Sequence, residues 1–393
     1  MYNFEQADRM KNVPLSKIRE MVELSTAMEK EGKPIIHLEI GEPDFDTPKH
    51  ICEAAKEALD AGKVHYGPIV GYEDIRKAVG DEYKKKYGLE FGPEEVMITH
   101  GVTHGIYLSM LAFLNPGDEI LVPDPGFLCY FTVPEIAQAK PVSYYLDPEN
   151  EYQIVPGSLD SLITEHTKMI LLNSPSNPCG FALNEASLKE IARVAEKYDL
   201  IVISDEVYAD IVYDGKRCMS IAELPGMRDR TIILNGFSKY YAMTGWRIGY
   251  LLCNEKLLEP MMRLSFYSIS CPNSFVQAAA VAALQGDDTP SAEMVAEYER
   301  RRNFIYEAVN QIPGCSCQKP DSAFYMFVNI KKTGMTSDEF CKYILKECYV
   351  TMTPGTAFGN SGEGYVRISY ANSLENLREA ARRMKEVLEK IVK

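Results

Sequence analysis

Three short apolar runs in this 393-residue chain break off into polar residues where a strand would hand over to a loop. Residues 200–204 (LIVIS) lead into Asp205 and Glu206, with Tyr208 just beyond. Residues 231–234 (TIIL) lead into Gly236-Phe237-Ser238-Lys239, and residues 168–172 (KMILL) into Asn173-Ser174-Pro175-Ser176-Asn177-Pro178. Ligands of open parallel sheets sit at the carboxyl ends of the strands. Neighbouring ends here would offer one site an acid, a phenol, an amine and an amide. Taken singly, each has a structural explanation. Lysine is seldom buried, Asp205 can cap a following helix, and Asn177-Pro178 is turn chemistry. A surface lysine, however, needs no acid and phenol at adjacent strand ends.

The combination is what a pyridoxal cofactor requires: a lysine amine for a Schiff base and an acid to partner the ring nitrogen. Arg247 adds to it. It sits in Met243-Thr244-Gly245-Trp246-Arg247-Ile248-Gly249-Tyr250, at the mouth of another apolar strand. A guanidinium there can hold a phosphate through two hydrogen bonds. The stretch Thr99-His100-Gly101-Val102-Thr103-His104-Gly105 precedes a helix, so its N–H groups and the Thr103 hydroxyl can cradle the same phosphate. On their own, Arg367 reads as half of a surface ion pair and Phe127 as core.

Bringing these residues together requires alternating strands and helices. Apolar side chains at helical spacing mark 48–61, 72–87, 103–114 and 184–198. Further β-branched runs lie at 119–122 (EILV) and 248–252 (IGYLL). Several runs are apolar on both faces, as in a buried parallel sheet, so the region reads as βαβ units with right-handed crossovers. Ahead of it, residues 14–30 predict a helix with Ser16 as N-cap, then a strand, PIIHLEI. After about residue 288 the texture changes to a polar helix over 290–311, strand AFYMFVNI, helix 337–347 and strand YVRISYA. A last amphipathic helix spans 373–392, with Asn372 and Glu375 spaced as a capping box. The fold class expected is α/β. A large domain at 45–288 would hold the parallel sheet, and residues 1–44 with 289–393 a smaller α+β domain.

Bulk properties narrow the function. Apolar residues at 46% suffice for cores of this size. The net charge of -14 argues against a nucleic-acid surface, which needs clustered Lys and Arg, yet permits a locally basic pocket. No apolar run is long enough for a membrane span, and MYNFEQADRM lacks a signal-peptide pattern. The ten cysteines are scattered, with Cys315 and Cys317 off any zinc or redox spacing. They read as small core residues of a cytoplasmic protein without a metal site.

Five motifs, in order, carry a resemblance: GEPDFDTP (41–48), SPSNPCG (174–180), SDEVYAD (204–210), FSKYYAMTGWRIGY (237–250) and YVRISYA (365–371). From Leu15 to the C-terminus the chain resembles the class I and II pyridoxal-phosphate aminotransferases of fold type I, which are aspartate aminotransferase-like. The resemblance implies a mostly parallel seven-stranded sheet flanked by helices. It also implies an enzyme that passes an amino group between an L-amino acid and a 2-oxo acid such as 2-oxoglutarate by a ping-pong mechanism. Lys239 would form the internal aldimine with pyridoxal 5′-phosphate and then move the proton between Cα and C4′. Asp205 would keep the ring nitrogen protonated, Tyr208 and Asn177 would donate to the phenolate oxygen, and Phe127 would stack on the ring. Val102, Thr103 and Arg247 would bind the phosphate, and Tyr66 the phosphate of the partner subunit in a homodimer with shared sites. Arg367, with the Gly41 backbone, would clamp the substrate α-carboxylate.

The chain departs from the family pattern at three positions. Cys179 replaces the usual Thr of Asn-Pro-Thr-Gly. Gly236 stands where many relatives carry a phosphate-binding Ser, a contact that Ser238 would have to replace. Thr103 stands where one aspartate-using branch has a Lys for the distal carboxylate. Loops at 12–16, 66–70 and 356–360, together with the partner subunit, are expected to wall the side-chain pocket, and Val13, Leu15, Ile69, Val70 and Phe358 there favour neutral or aromatic donors. Three alternatives share much of this evidence. One is an aspartate aminotransferase. A carbon–sulfur β-lyase on the same scaffold would keep Lys239, Asp205 and Arg367. A regulatory module that binds the cofactor as an effector would carry a DNA-binding domain, whereas only about 14 residues precede the first family-like helix.

Overall fold

Successive residues of a strand face opposite sides of its sheet, and in the central runs both sides are apolar. In the computed structural model, which describes residues 4–392, that pattern becomes two cores on either side of one sheet. Ile120 and Val122 pack with Met169, Leu171, Ile203, Ile232 and Leu234. The alternate residues Leu121, Ile170, Leu172 and Val202 join Leu188 and Ile191 of helix Glu185–Lys197 on the other face. Strands apolar on both faces must be covered by helices on both.

The strands, in chain order, are β1 (Ile36–His37), β2 (Val96–Thr99), β3 (Glu119–Asp124), β4 (Lys140–Asp147), β5 (Gln153–Ile154), β6 (Thr167–Asn173), β7 (Ile201–Asp205), β8 (Thr231–Gly236), β9 (Gly249–Leu252), β10 (Tyr325–Asn329), β11 (Val350–Thr351), β12 (Thr353–Pro354) and β13 (Tyr365–Ser369). Eight of them form one sheet in the order β2-β9-β8-β7-β6-β3-β4-β5. Neighbours from β8 through β4 are parallel. The expected mostly parallel sheet is present, and the two-residue β5 adds a short antiparallel edge to it. The crossover reading needs one correction. β9 runs antiparallel to both β8 and β2, because residues 237–248 return it directly, with no crossover helix. Its amino end therefore lies beside its neighbours' carboxyl ends.

A second, smaller sheet has the antiparallel order β10-β13-β12, and β1 pairs parallel with β11. Helices Lys17–Lys30, Thr289–Val309, Ser337–Cys348 and Leu374–Leu388 supply much of the surrounding core, which includes Met21, Ile36, Leu38, Tyr298, Phe340, Val366 and Leu377. Ser16 caps the first of these helices by accepting from the Arg19 N–H. The last helix is capped one residue later than the capping-box spacing predicts. Ser373 accepts the Asn376 N–H, because Asn372 is drawn away to donate from Nδ2 to the His37 carbonyl at 2.8 Å.

Two glycines let the loop after β2 settle on the sheet. Gly236 faces Gly249 in the β8–β9 register. A Cβ on Gly249 would lie 2.9 Å from the Gly101 carbonyl carbon, and one on Gly236 2.9 Å from Gly249 Cα. Gly249→Ala is therefore expected to lower stability by about 1–3 kcal/mol through overpacking, read as a lower urea midpoint. An unchanged midpoint would show that the loop has room to yield.

Candidate active site

The polar strand ends converge on a cavity of about 350 Å³. Asn173 and Asp205 enter it as the last residues of β6 and β7, Asn177 and Tyr208 just past them, and Ser238 and Lys239 after β8. Val102 and Thr103 enter after β2, Arg247 ahead of β9, and Arg367 from β13. The reversed β9 is what brings Arg247 to the same edge as the others.

Lys239 donates from Nζ to the Gly41 carbonyl at 2.5 Å. It lies 5.6 and 5.7 Å from the ring centroids of Tyr208 and Phe324. Burial, with the Arg367 and Arg247 charges adding to it, pulls its amine down to about 8. At the far end Asp205, 3% exposed, accepts from the Tyr130 phenol at 2.7 Å and from the Val207 N–H at 3.2 Å. Burial lifts its carboxyl to about 6 despite these donors. A carboxylate held this way gains most from a cationic N–H placed against it. Tyr208 and Tyr325 share a hydrogen bond of 2.7 Å between their hydroxyls.

Two guanidiniums face this cavity, and neither has a carboxylate partner among the described residues. Arg367, 2% exposed, donates to Asn177 Oδ1 at 2.9 Å and to the Glu39 carbonyl at 2.5 Å. Its Nε is buried without a partner. The rings of Tyr325 and Phe358 lie 4.5 and 4.9 Å from it. Arg247 is exposed, with a left-handed backbone (φ 53°), and donates to the Thr244 carbonyl at 2.9 Å. Such a conformation in a non-glycine residue costs of order ~1–3 kcal/mol and persists where the surroundings fix it. Next to it, Gly101 opens the helix Val102–Phe113, and a Cβ there would lie 2.6 Å from Arg247 Nη2. The first N–H groups of a helix have no partner within it and attract anions.

The geometry thus offers an anion site at Gly101–Thr103 and Arg247, a second at Arg367, and an amine and a buried acid in the same cavity. Pyridoxal phosphate fits this donor set: a phosphate for the first, an aldehyde for the amine and a ring nitrogen for the acid.

Most residues singled out from the sequence line the cavity, namely Gly41, Val102, Thr103, Phe127, Asn177, Asp205, Tyr208, Lys239, Arg247 and Arg367. Tyr66 does not, and is 89% exposed. Ser238 lines it too, while Gly236 is packed against Gly249 and leaves no room for a Ser. Of the side chains expected to wall the side-chain pocket, none lines this cavity within one chain. Leu15 points to solvent at 95% exposure, Val70 packs into a core, and Phe358 is fully buried against the Arg367 guanidinium. Val13 and Ile69 also lie outside the lining, and Ile18, Ile40, Ile106, Phe127 and Tyr130 supply its apolar part. Tyr130 and Tyr325 went unnoticed in the sequence. The available signal was the aromatic Phe127 three residues earlier, against which Tyr130 packs edge-on across the turn that opens helix Cys129–Ile136.

The aminotransferase class I and II family matches residues 33–384, and the chain belongs to this family of pyridoxal-phosphate enzymes. It is an aminotransferase. It is 45% identical over 385 residues to "Aromatic-amino-acid aminotransferase 2" of Thermococcus litoralis, covering 97% of this chain and 98% of that protein. It is 44% identical over 385 residues to "Aspartate aminotransferase" of Pyrococcus abyssi, with 97% and 98% covered. The crystal structure of the aspartate aminotransferase from Rhizobium meliloti superposes with a TM-score of 0.95 at 35% identity, covering 99% of this chain and 100% of that one. Among the described residues no helix is long and apolar enough to cross a membrane, and no cluster of three or more His, Cys, Asp or Glu gathers that could hold a metal.

The depressed amine is measurable directly. In cofactor-free protein, acylation of Lys239 followed by peptide mass spectrometry should rise with pH as the neutral amine forms, with a midpoint near 8. Surface lysines should titrate near ~10.4. A Lys239 midpoint among those of surface lysines would remove the argument from burial.

Proposed function

We propose that this aminotransferase moves the amino group of a neutral, preferably aromatic, L-amino acid to a 2-oxo acid such as 2-oxoglutarate, in two half-reactions that share one site. One observation carries the reading: Arg247 and Arg367 face a single cavity, without carboxylate partners among the described residues, on either side of Lys239 and Asp205. Arg247, the Val102 and Thr103 N–H groups and the Thr103 hydroxyl hold the phosphate. Arg367 holds the substrate α-carboxylate, with Asn177 and the Gly41 backbone beside it. When bound, the cofactor supplies an aldehyde that joins to amines and a ring that takes up electrons from substrate Cα. Lys239 would hold that aldehyde through its amine and would move the proton at Cα. An amine lowered to about 8 has a working neutral fraction near neutral pH, as a general base needs. Asp205 would hold the ring nitrogen, Tyr208 and Asn177 would hold the ring oxygen, and Phe127 would pack against the ring.

The preference for a neutral side chain rests on Ile18, Ile40 and the uncharged Thr103 in the lining. A distal carboxylate desolvated there without a cation costs several kcal/mol. The Pyrococcus abyssi relative's name favours aspartate instead, and a donor screen separates the two readings. The same proposal includes a homodimer in which the exposed Tyr66 reaches the partner's phosphate. It also divides the chain into a large domain at 45–288 and a smaller one from 1–44 and 289–393, in keeping with a separate core built around β1 and β10. The ten unpaired cysteines suit a cytoplasmic setting.

Lys239→Ala is expected to abolish transamination and to leave no borohydride-reducible link to the cofactor. A variant turning over at the wild-type rate would refute the assignment. In a screen of Phe, Tyr, Leu, Met, Ala and Asp against fixed 2-oxoglutarate, kcat/KM should favour the neutral donors. Aspartate ahead by about tenfold or more would overturn the apolar-pocket reading.

A further inference from the structure

Behind Arg367 lies a carboxylate that the reaction does not use. Glu39 is wholly buried, and its carbonyl, not its side chain, accepts from Arg367 Nη2 at 2.5 Å. The segment that carries this carbonyl is wedged between two strands. The Leu38 N–H donates to the Thr351 carbonyl at 3.0 Å, and the Ser369 N–H to the Leu38 carbonyl at 2.7 Å. The Glu39 carboxylate turns instead to its neighbour two residues back, on the same face of the strand. Its Oε1 lies 2.7 Å from His37 Nδ1, while Oε2 is buried with no hydrogen-bond partner. The other imidazole nitrogen of His37 lies 3.0 Å from Glu29 Oε1 on helix Lys17–Lys30.

This arrangement is unexpected on electrostatic grounds. A buried carboxylate beside a buried guanidinium ordinarily forms a paired, doubly hydrogen-bonded contact. The Glu39 charge does act on Arg367, yet Arg367 bonds only neutral acceptors, Asn177 Oδ1 and the Glu39 carbonyl. We propose that His37 is a positioning residue that retains the Glu39 carboxylate, so that Arg367 keeps its charge for the substrate carboxylate. The inference rests on the reading of Arg367 as the carboxylate clamp. It explains why a histidine flanked by two carboxylates stands at this point of the strand. The Glu39 contact above all, and then Glu29, raise its imidazole to about 9 against the effect of partial burial, so it is a cation at neutral pH.

Holoenzyme kinetics with L-phenylalanine and 2-oxoglutarate test it. His37→Ala should raise KM for both by about tenfold, with kcat changed less than about twofold, the pattern of lost binding common to ground and transition states. His37→Ala combined with Glu39→Gln should bring both KM values back to within about twofold of wild type, because an uncharged amide does not neutralise the guanidinium. A purely structural role would give no such rescue. The inference is overturned if His37→Ala leaves both KM values unchanged, or if the double variant fails to recover. It is also overturned if His37→Ala and His37→Asn both lose the bound-cofactor absorbance. Arg367→Leu separates the two layers. If that variant leaves both KM values unchanged, the clamp reading itself fails. If it raises both while His37→Ala does not, only the positioning role of His37 is lost.

Discussion

A guanidinium only 2% exposed, with no carboxylate hydrogen-bonded to it among the described residues, is the constraint on which the rest of this site depends. Removing a charge from water without a counter-charge costs several kcal/mol. The protein meets that cost with neutral acceptors and two aromatic faces. None of these satisfies the charge, so the field of Arg367 reaches into the cavity. There it joins burial in holding the Lys239 amine near 8. The same low dielectric acts in the opposite sense on Asp205, whose carboxyl rises to about 6. Burial thus brings an amine and an acid towards neutrality from opposite sides, in one cavity.

The sheet topology makes this possible. A purely parallel βαβ array would present only carboxyl strand ends at the cavity edge. Because β9 is reversed, the loop before it crosses that edge, and Arg247 sits on this loop in a backbone conformation few non-glycine residues adopt. The facing glycines Gly236 and Gly249 remove the side chains that would keep the loop after β2 away. The N-terminus of helix Val102–Phe113 and the Arg247 guanidinium then act on one volume. The loss of a hydroxyl at Gly236 is therefore a packing requirement of this chain.

Much of the site was legible in the sequence because chemistry interrupts pattern. Asp205, Lys239 and Asn177 follow apolar runs that would otherwise continue, and Arg247 stands at the start of another. The cap Ser16 was legible for the same reason, since its polarity falls where helical spacing begins. What was not legible depends on tertiary contact. Tyr130 and Tyr325 look like core aromatics until their hydroxyls are seen to meet Asp205 and Tyr208. The cap at Asn372 moved by one residue because its amide found the His37 carbonyl, 335 positions away in sequence. Within one chain the residues expected to wall the pocket lie off the cavity lining, because spacing does not say which side of a loop faces inward. Helix Ser274–Gln285, rich in alanine and apolar nearly all round, offers no amphipathic stripe to read.

Arg367 also ties recognition to architecture. It sits on the central strand of the smaller sheet, paired with Phe327 on one side and Thr353 on the other. From there its two terminal nitrogens reach different parts of the molecule: Asn177, in the loop after β6, and the Glu39 carbonyl, just past β1. Moving the smaller sheet relative to the larger would therefore break the hydrogen bond to Asn177. In the proposed function, a substrate carboxylate would add a third partner at the same group. Its affinity would then be felt directly by the contact between the two sheets, because one side chain belongs to both. A clamp on a mobile surface loop would bind the same carboxylate without that consequence. Its placement on β13 makes the fit of the substrate and the fit of the two sheets a single packing problem.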